Sequence, residues 1–161
     1  HERTLFLCGV AAVGLAGIYC SLMLYAATGR TWWSPARGVV RFFGTALVLG
    51  LFGAAFLAAH VGFEWASRLA VAAAVMTIVK TAWELAVLNH YFTAEPQALR
   101  RTARLLAGEL RLVIDLRSAA ACIAVAFAYL VVALPAQAPL WTSLALGAAF
   151  VGEAIERALF F

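Results

Sequence analysis

Two ionisable side chains stand where a lipid-soluble stretch should hold none. Lys80 and Glu84 lie one helical turn apart inside the apolar run from about Ala66 to Tyr91. A lysine near the middle of a membrane span costs roughly 2.5–3.5 kcal/mol on insertion scales, so other groups must compensate for it. Glu84 alone is too little, because a pair at this spacing contributes about 0.2–0.5 kcal/mol and Lys ahead of Glu is the weaker order. If successive helices alternate in direction, Arg117, Glu153, Glu156 and Arg157 reach the same half of the membrane as Glu84. One internal charge network of Lys80, Glu84, Arg117, Glu153 and Arg157, joined by Glu156, is therefore expected. Two chemistries are open to it: a proton relay through Glu84, or a salt-bridge lattice that ties helices together.

The rest of the chain fixes the solvent. Of its 161 residues 65% are hydrophobic and 12% charged, with a mean hydropathy of +0.94. Soluble domains average about 45–50% apolar and about 25% charged. Twelve Lys and Arg with eight Asp and Glu cannot clothe a core of that size in water. An ordinary soluble domain is excluded, and the solvent is largely lipid. The formal charge of +4 rests on eleven Arg and one Lys, with no dense basic run interleaved with aromatics. That pattern points to membrane orientation or docking and excludes nucleic acid as a partner.

The remaining metal-ligating residue types are dispersed. Cys8, Cys20 and Cys122 sit in apolar runs without a CxxC pairing, so they are expected to be buried small hydrophobes, and no metal site is expected. A b-type haem in a helix bundle needs two axial ligands at one depth. His60 ends the second span and His90 ends the third at the opposite face, while His1 opens the sequence. No haem held between these histidines is expected, and each is read as an interfacial residue.

Crossing about 30 Å of hydrocarbon takes about 20 helical residues, and five stretches qualify. They are expected at about 4–27, 41–61, 66–91, 117–134 and 140–160, the last two forming a hairpin cut from one long uncharged stretch by Pro135 and Pro139. A transmembrane strand would alternate in polarity over about ten residues, and no such stretch is present. The expected fold is all-α, a polytopic transmembrane helix bundle forming a single membrane domain over 1–161. Gly14, Gly17 and Ser21 in the first helix, and Ala46, Gly50 and Ala54 in the second, form small-residue stripes expected to pack against neighbours. Residues 96–115 are expected to form an interfacial amphipathic helix, started by Pro96 and carrying Leu99, Leu106, Leu110 and Val113 on one face. It is either an anchor to anionic headgroups or a shelf for a soluble partner. Arg30, Arg37 and Arg41 after the first span, and Arg100, Arg101, Arg104, Arg111 and Arg117 after the third, outnumber Arg3 and Arg68 opposite. The positive-inside rule makes the first two of these links cytoplasmic.

Several short motifs then occur in a set order. They are Tyr25-x-x-Thr28-x-Arg30-x-Trp32-Trp33, Arg41-Phe42-Phe43-x-Thr45 with Leu49-Gly50, Trp83-Glu84-Leu85, Leu116-Arg117, and Gly152-Glu153-x-x-x-Arg157-x-x-Phe160-Phe161. In this order and spacing the chain resembles the C-terminal five helices of the dimethyl sulfoxide reductase membrane-anchor family, related to the polysulfide-reductase and nitrite-reductase anchors. The family has eight spans, and the opening His1-Glu2-Arg3 without an initiator Met agrees with an expectation that three precede this segment.

The resemblance implies a membrane-anchor subunit of a molybdopterin oxidoreductase complex in the prokaryotic inner membrane. Such a subunit oxidises menaquinol or ubiquinol, carries no haem, and passes electrons to an iron–sulfur subunit that feeds a molybdopterin catalytic subunit. The family's best-known quinol-site histidine and acid lie in N-terminal helices without counterpart here. This chain would supply part of the pocket wall, with Tyr19 and Tyr25 as hydroxyl donors to a quinone oxygen and Trp33 and Arg41 near the membrane surface. Interfacial aromatic belts account for Tyr25, Trp32 and Trp33 equally well. Under the quinol reading, a relay at Glu84 predicts that Glu84→Gln impairs quinol turnover. Two rivals remain: a transporter or channel with Lys80, Glu84 and Glu153 along its path, and a purely structural anchor.

Overall fold

The computed structural model describes residues 2–27, 35–92 and 97–158. Among them the chain is all-α: six helices, two short 3-10 segments and no strand. Five of the helices are long and apolar enough to cross a bilayer, as befits a multi-pass membrane protein. They are α1 (Glu2–Ala26), α2 (Pro35–His60), α3 (Ala66–Leu85, continued by a 3-10 segment over Ala86–His90), α5 (Arg111–Ala133) and α6 (Ala138–Ala158). The sixth, α4 (Gln97–Ala107), is too short to span. The chain divides into two compact units, His1–Phe43 and Gly44–Phe161, with the boundary inside α2.

In the first unit the end of α1 meets the start of α2. Gly38 leaves room there for the Leu22 side chain, whose end would have to shift to admit a Cβ at that position. Tyr25 lies against Phe42 with ring centroids 5.4 Å apart. Gly14 and Gly17 are exposed, and Ser21 returns its hydroxyl to the Gly17 carbonyl at 3.0 Å.

In the second unit α5 packs along both α3 and α6. Its core is built mainly of alanine, with Val48, Phe52 and Ala55 from α2, Ala70 and Ala73 from α3, and Ala124 and Ala128 from α5 among the buried residues. Methyl-sized side chains let helix backbones approach closely, which is the main source of helix association where no water drives it. Apolar spans leave few partners for hydroxyls, and several here bond back along their own helix. Thr77 donates to the Ala73 carbonyl, Thr142 to Ala138 and Ser143 to Pro139. The α2–α3 turn is a Schellman cap: Gly62 takes a left-handed φ of 73°, Phe63 N–H reaches the Ala58 carbonyl and Gly62 N–H the Ala59 carbonyl.

Four expectations are corrected. The stripe Ala46–Gly50–Ala54 is not the packing face of α2: Gly50 and Ala54 are exposed, and the positions of α2 buried in the second unit are Gly44, Val48, Phe52 and Ala55. In a chain this rich in small residues every helix face carries some, so their spacing does not single out the face that packs. The interfacial helix of 96–115 stops at Ala107, where a turn over 108–110 intervenes, and Arg111–Leu116 open the fourth span. Its apolar side, Ala103 and Leu106, is buried, and α4 packs on the 3-10 segment that follows α3. The hairpin break falls at Pro135–Gln137 alone, with Pro139 inside the first turn of α6, where proline's missing N–H costs nothing. Cys8, Cys20 and Cys122 are free and exposed, because a lipid-facing surface takes a small apolar side chain as readily as a core does. Pro96, Thr28, Arg30, Trp32, Phe160 and Phe161 lie outside the described residues.

Candidate functional site

The expected charge network assembles where α3, α5 and α6 meet. Lys80 points its ammonium into the second unit and is only 1% exposed. Its stem passes over Gly44 of α2, where a Cβ would come within 3.1 Å of Lys80 Cδ, so glycine leaves room for the chain to cross. Three carboxylates receive the Nζ: Glu84 at 3.0 Å, Glu153 at 2.7 and 2.9 Å, and Glu156. Arg117, also buried, pairs through Nη2 with Glu84 and with Glu156 at 3.2 Å. The Thr45 hydroxyl donates to Glu153 Oε2 at 2.5 Å.

Helix geometry explains the convergence. Lys80 and Glu84 share a face of α3 one turn apart, and Glu153 and Glu156 share a face of α6 at a spacing of three. At Gly152 α6 comes close to α5: a Cβ there would be in ordinary contact, 3.4 Å from the Ala120 methyl. That approach puts Glu156 within reach of Arg117. The lone intrahelical pair was too weak to hold Lys80 in hydrocarbon; three carboxylates from two helices do so.

The two cations do not serve the three acids alike. Glu84 and Glu156 each touch both Lys80 and Arg117. Glu153 touches one cation, Lys80, and a neutral hydroxyl. With all five groups ionised the cluster carries one surplus negative charge. Beside it lies a cleft with room for about one water, lined by Thr77 and Thr81 of α3, Arg117 of α5, Glu153 of α6 and a few apolar side chains. Glu153 is the only one of the three acids that lines it. A quinone ring does not fit in so small a space.

Of the residues expected in the network, Lys80, Glu84, Arg117 and Glu153 come together, with Glu156 between the two cations. Arg157, next along α6, is half-buried. The candidates for a quinol pocket belong to the other unit. Tyr19 is exposed on α1, Tyr25 is half-buried against Phe42, Arg41 is buried on α2, and Trp33 lies outside the described residues. His60 and His90 close α2 and the 3-10 segment, and His60 is tied at 2.9 Å to the Phe56 carbonyl. Among the described residues no group of three or more His, Cys, Asp or Glu is placed to share a metal ion.

Thr45, Thr77 and Thr81 were not foreseen as parts of the site. A hydroxyl in a span carries no charge to flag it, and which threonine meets Glu153 is decided by how α2 is rotated against α6. No family model matches the chain, and neither does any curated protein or solved structure.

Proposed function

We propose that the chain is a membrane-anchor subunit of a molybdopterin oxidoreductase complex of the dimethyl sulfoxide reductase type. In this reading it lies in a prokaryotic inner membrane, oxidises menaquinol or ubiquinol, and delivers electrons to an iron–sulfur subunit that serves a molybdopterin catalytic subunit. One observation carries the reading. Residues from four of the separate motifs behind the resemblance meet at one place: Thr45, Glu84, Arg117 and Glu153. Motifs scattered over more than a hundred positions that converge on one buried cluster behave as a single device rather than as four accidents of composition.

Quinol supplies two electrons and two protons when it is oxidised. The residues that would hold it are Tyr19, Tyr25, Trp33 and Arg41. The two hydroxyls can donate to the quinone oxygens, and the exposed apolar side chains of α1 offer a surface for the isoprenoid tail. The buried cluster is too tightly filled to take the ring, so its part in this reading is to hold the helices in register and to handle charge inside the membrane.

The test is to isolate the chain in mild detergent with whatever stays bound. Molybdenum or tungsten together with iron, no haem absorbance, and quinol-dependent turnover are expected. Metals without quinol turnover would leave a structural anchor. A chain recovered alone, or with haem, would overturn the proposal. A second reading, a transporter or channel with Lys80, Glu84 and Glu153 on its path, is favoured by one observation, the water-sized cleft against the cluster.

A further inference from the structure

We infer that Glu153 is a proton-binding site inside the helix bundle, exchanging one proton with a water seated in the cleft beside it. Three observations converge. The first is charge: Lys80 and Arg117 face Glu84, Glu153 and Glu156, leaving one negative charge without a cation in a medium that solvates charge poorly. One proton removes the surplus. The second is position. Glu84 and Glu156 each lie against both cations, while Glu153 lies against Lys80 alone, so it is the acid with the fewest cations beside it. The third is access. Glu153 lines the cleft together with Arg117, a buried side chain whose Nε has no hydrogen-bond partner in the protein. A water there can accept from the Arg117 Nε–H and donate to Glu153, within the two to four polar partners that buried waters take.

Among the described residues, the polar groups around Glu153 come from four helices. They are Thr45 from α2, Lys80 with Glu84 behind it from α3, Arg117 across the cleft from α5, and Glu156 on α6 itself. Thr45 already donates to Oε2 at 2.5 Å, so the proton belongs on Oε1 and Oε2 is left as the carbonyl. The step is acid–base only: an O–H bond forms at Glu153 as one breaks in hydronium, and no electrons move. The relay expected at Glu84 is thereby assigned one helix away. The inference stands apart from the quinol reading, since a chain without quinol turnover still holds this proton.

The test is infrared difference spectroscopy on the isolated protein, with any subunits that accompany it. At neutral pH exposed carboxyls are ionised, so a carbonyl band from a neutral carboxylic acid reports a buried one. The band is expected in the unaltered protein and lost in Glu153→Gln. In Thr45→Val, a near-isosteric change that keeps the charges, the band is expected to move to higher wavenumber, because the carbonyl loses the hydrogen bond from Thr45. This second variant decides the matter if Glu153→Gln does not fold. Absence of the band in the unaltered protein, or a band that Thr45→Val leaves in place, would overturn the assignment.

Discussion

The helices of the second unit are joined in two different ways along their length. Toward the end of α3 that follows the Gly62 turn, the contacts are Phe52, Ala55, Ala70, Ala73, Ala128 and Val131, with no polar group among them. Some ten residues on along α3, ~15 Å by helical rise, the same helices meet through Lys80, Glu84, Arg117, Glu153 and Glu156. The alanine half relies on close approach, and its strength is spread over many weak contacts. The charged half relies on a few interactions that each carry a large penalty when one partner is lost. A substitution should therefore act in opposite senses in the two halves: removing atoms is severe in the charged half, and adding atoms is severe in the alanine half.

The largest effect is expected from Lys80→Met. It leaves Glu84 and Glu156 with Arg117 as their one cation, and breaking a buried pair by removing one member costs about 3–5 kcal/mol. A fall in the thermal midpoint in detergent, or loss of folded protein, measures it. Next comes Ala124→Leu. Ala124 is fully buried between helices, and overpacking of this kind costs about 1–3 kcal/mol. The same midpoint reads it, and Arg117–Glu156 pairing should suffer only through the helix spacing. The smallest effect is expected from Ala54→Leu, on the stripe that the sequence favoured for packing. Ala54 is exposed, so the change should stay within about 0.5 kcal/mol. A large loss there would mean that the stripe is a contact face after all.

The charged half was legible in the sequence and the alanine half was not, for a physical reason. A lysine in an apolar run is improbable without compensation, so Lys80 announces partners, and few acids stand at the right depth to serve. Alanine and glycine announce nothing, because they occur on every face of every helix here. Thus Ala46, Gly50 and Ala54 seemed as good a seam as Gly44, Val48 and Phe52, and only the packed structure separates them. The same limit explains the fourth span. Residues 111–116 hold both arginine and leucine, and Leu112 and Leu116 turn outward while Arg117 turns in; periodicity alone assigned them to the helix before the turn. Five long apolar helices followed from length and hydropathy, which depend on no neighbour.

The most direct test of the charged half is a double-mutant cycle between Lys80 and Glu156, read as thermal stability in detergent. Lys80→Met alone should be more destabilising than Lys80→Met combined with Glu156→Gln, because Lys80→Met leaves Glu84 and Glu156 sharing Arg117 alone and the second change restores one acid to one cation. A coupling of more than about 1 kcal/mol is expected for groups in one buried network. Additive effects of the two changes would contradict the account, showing that Lys80 and Glu156 do not share a buried ion pair.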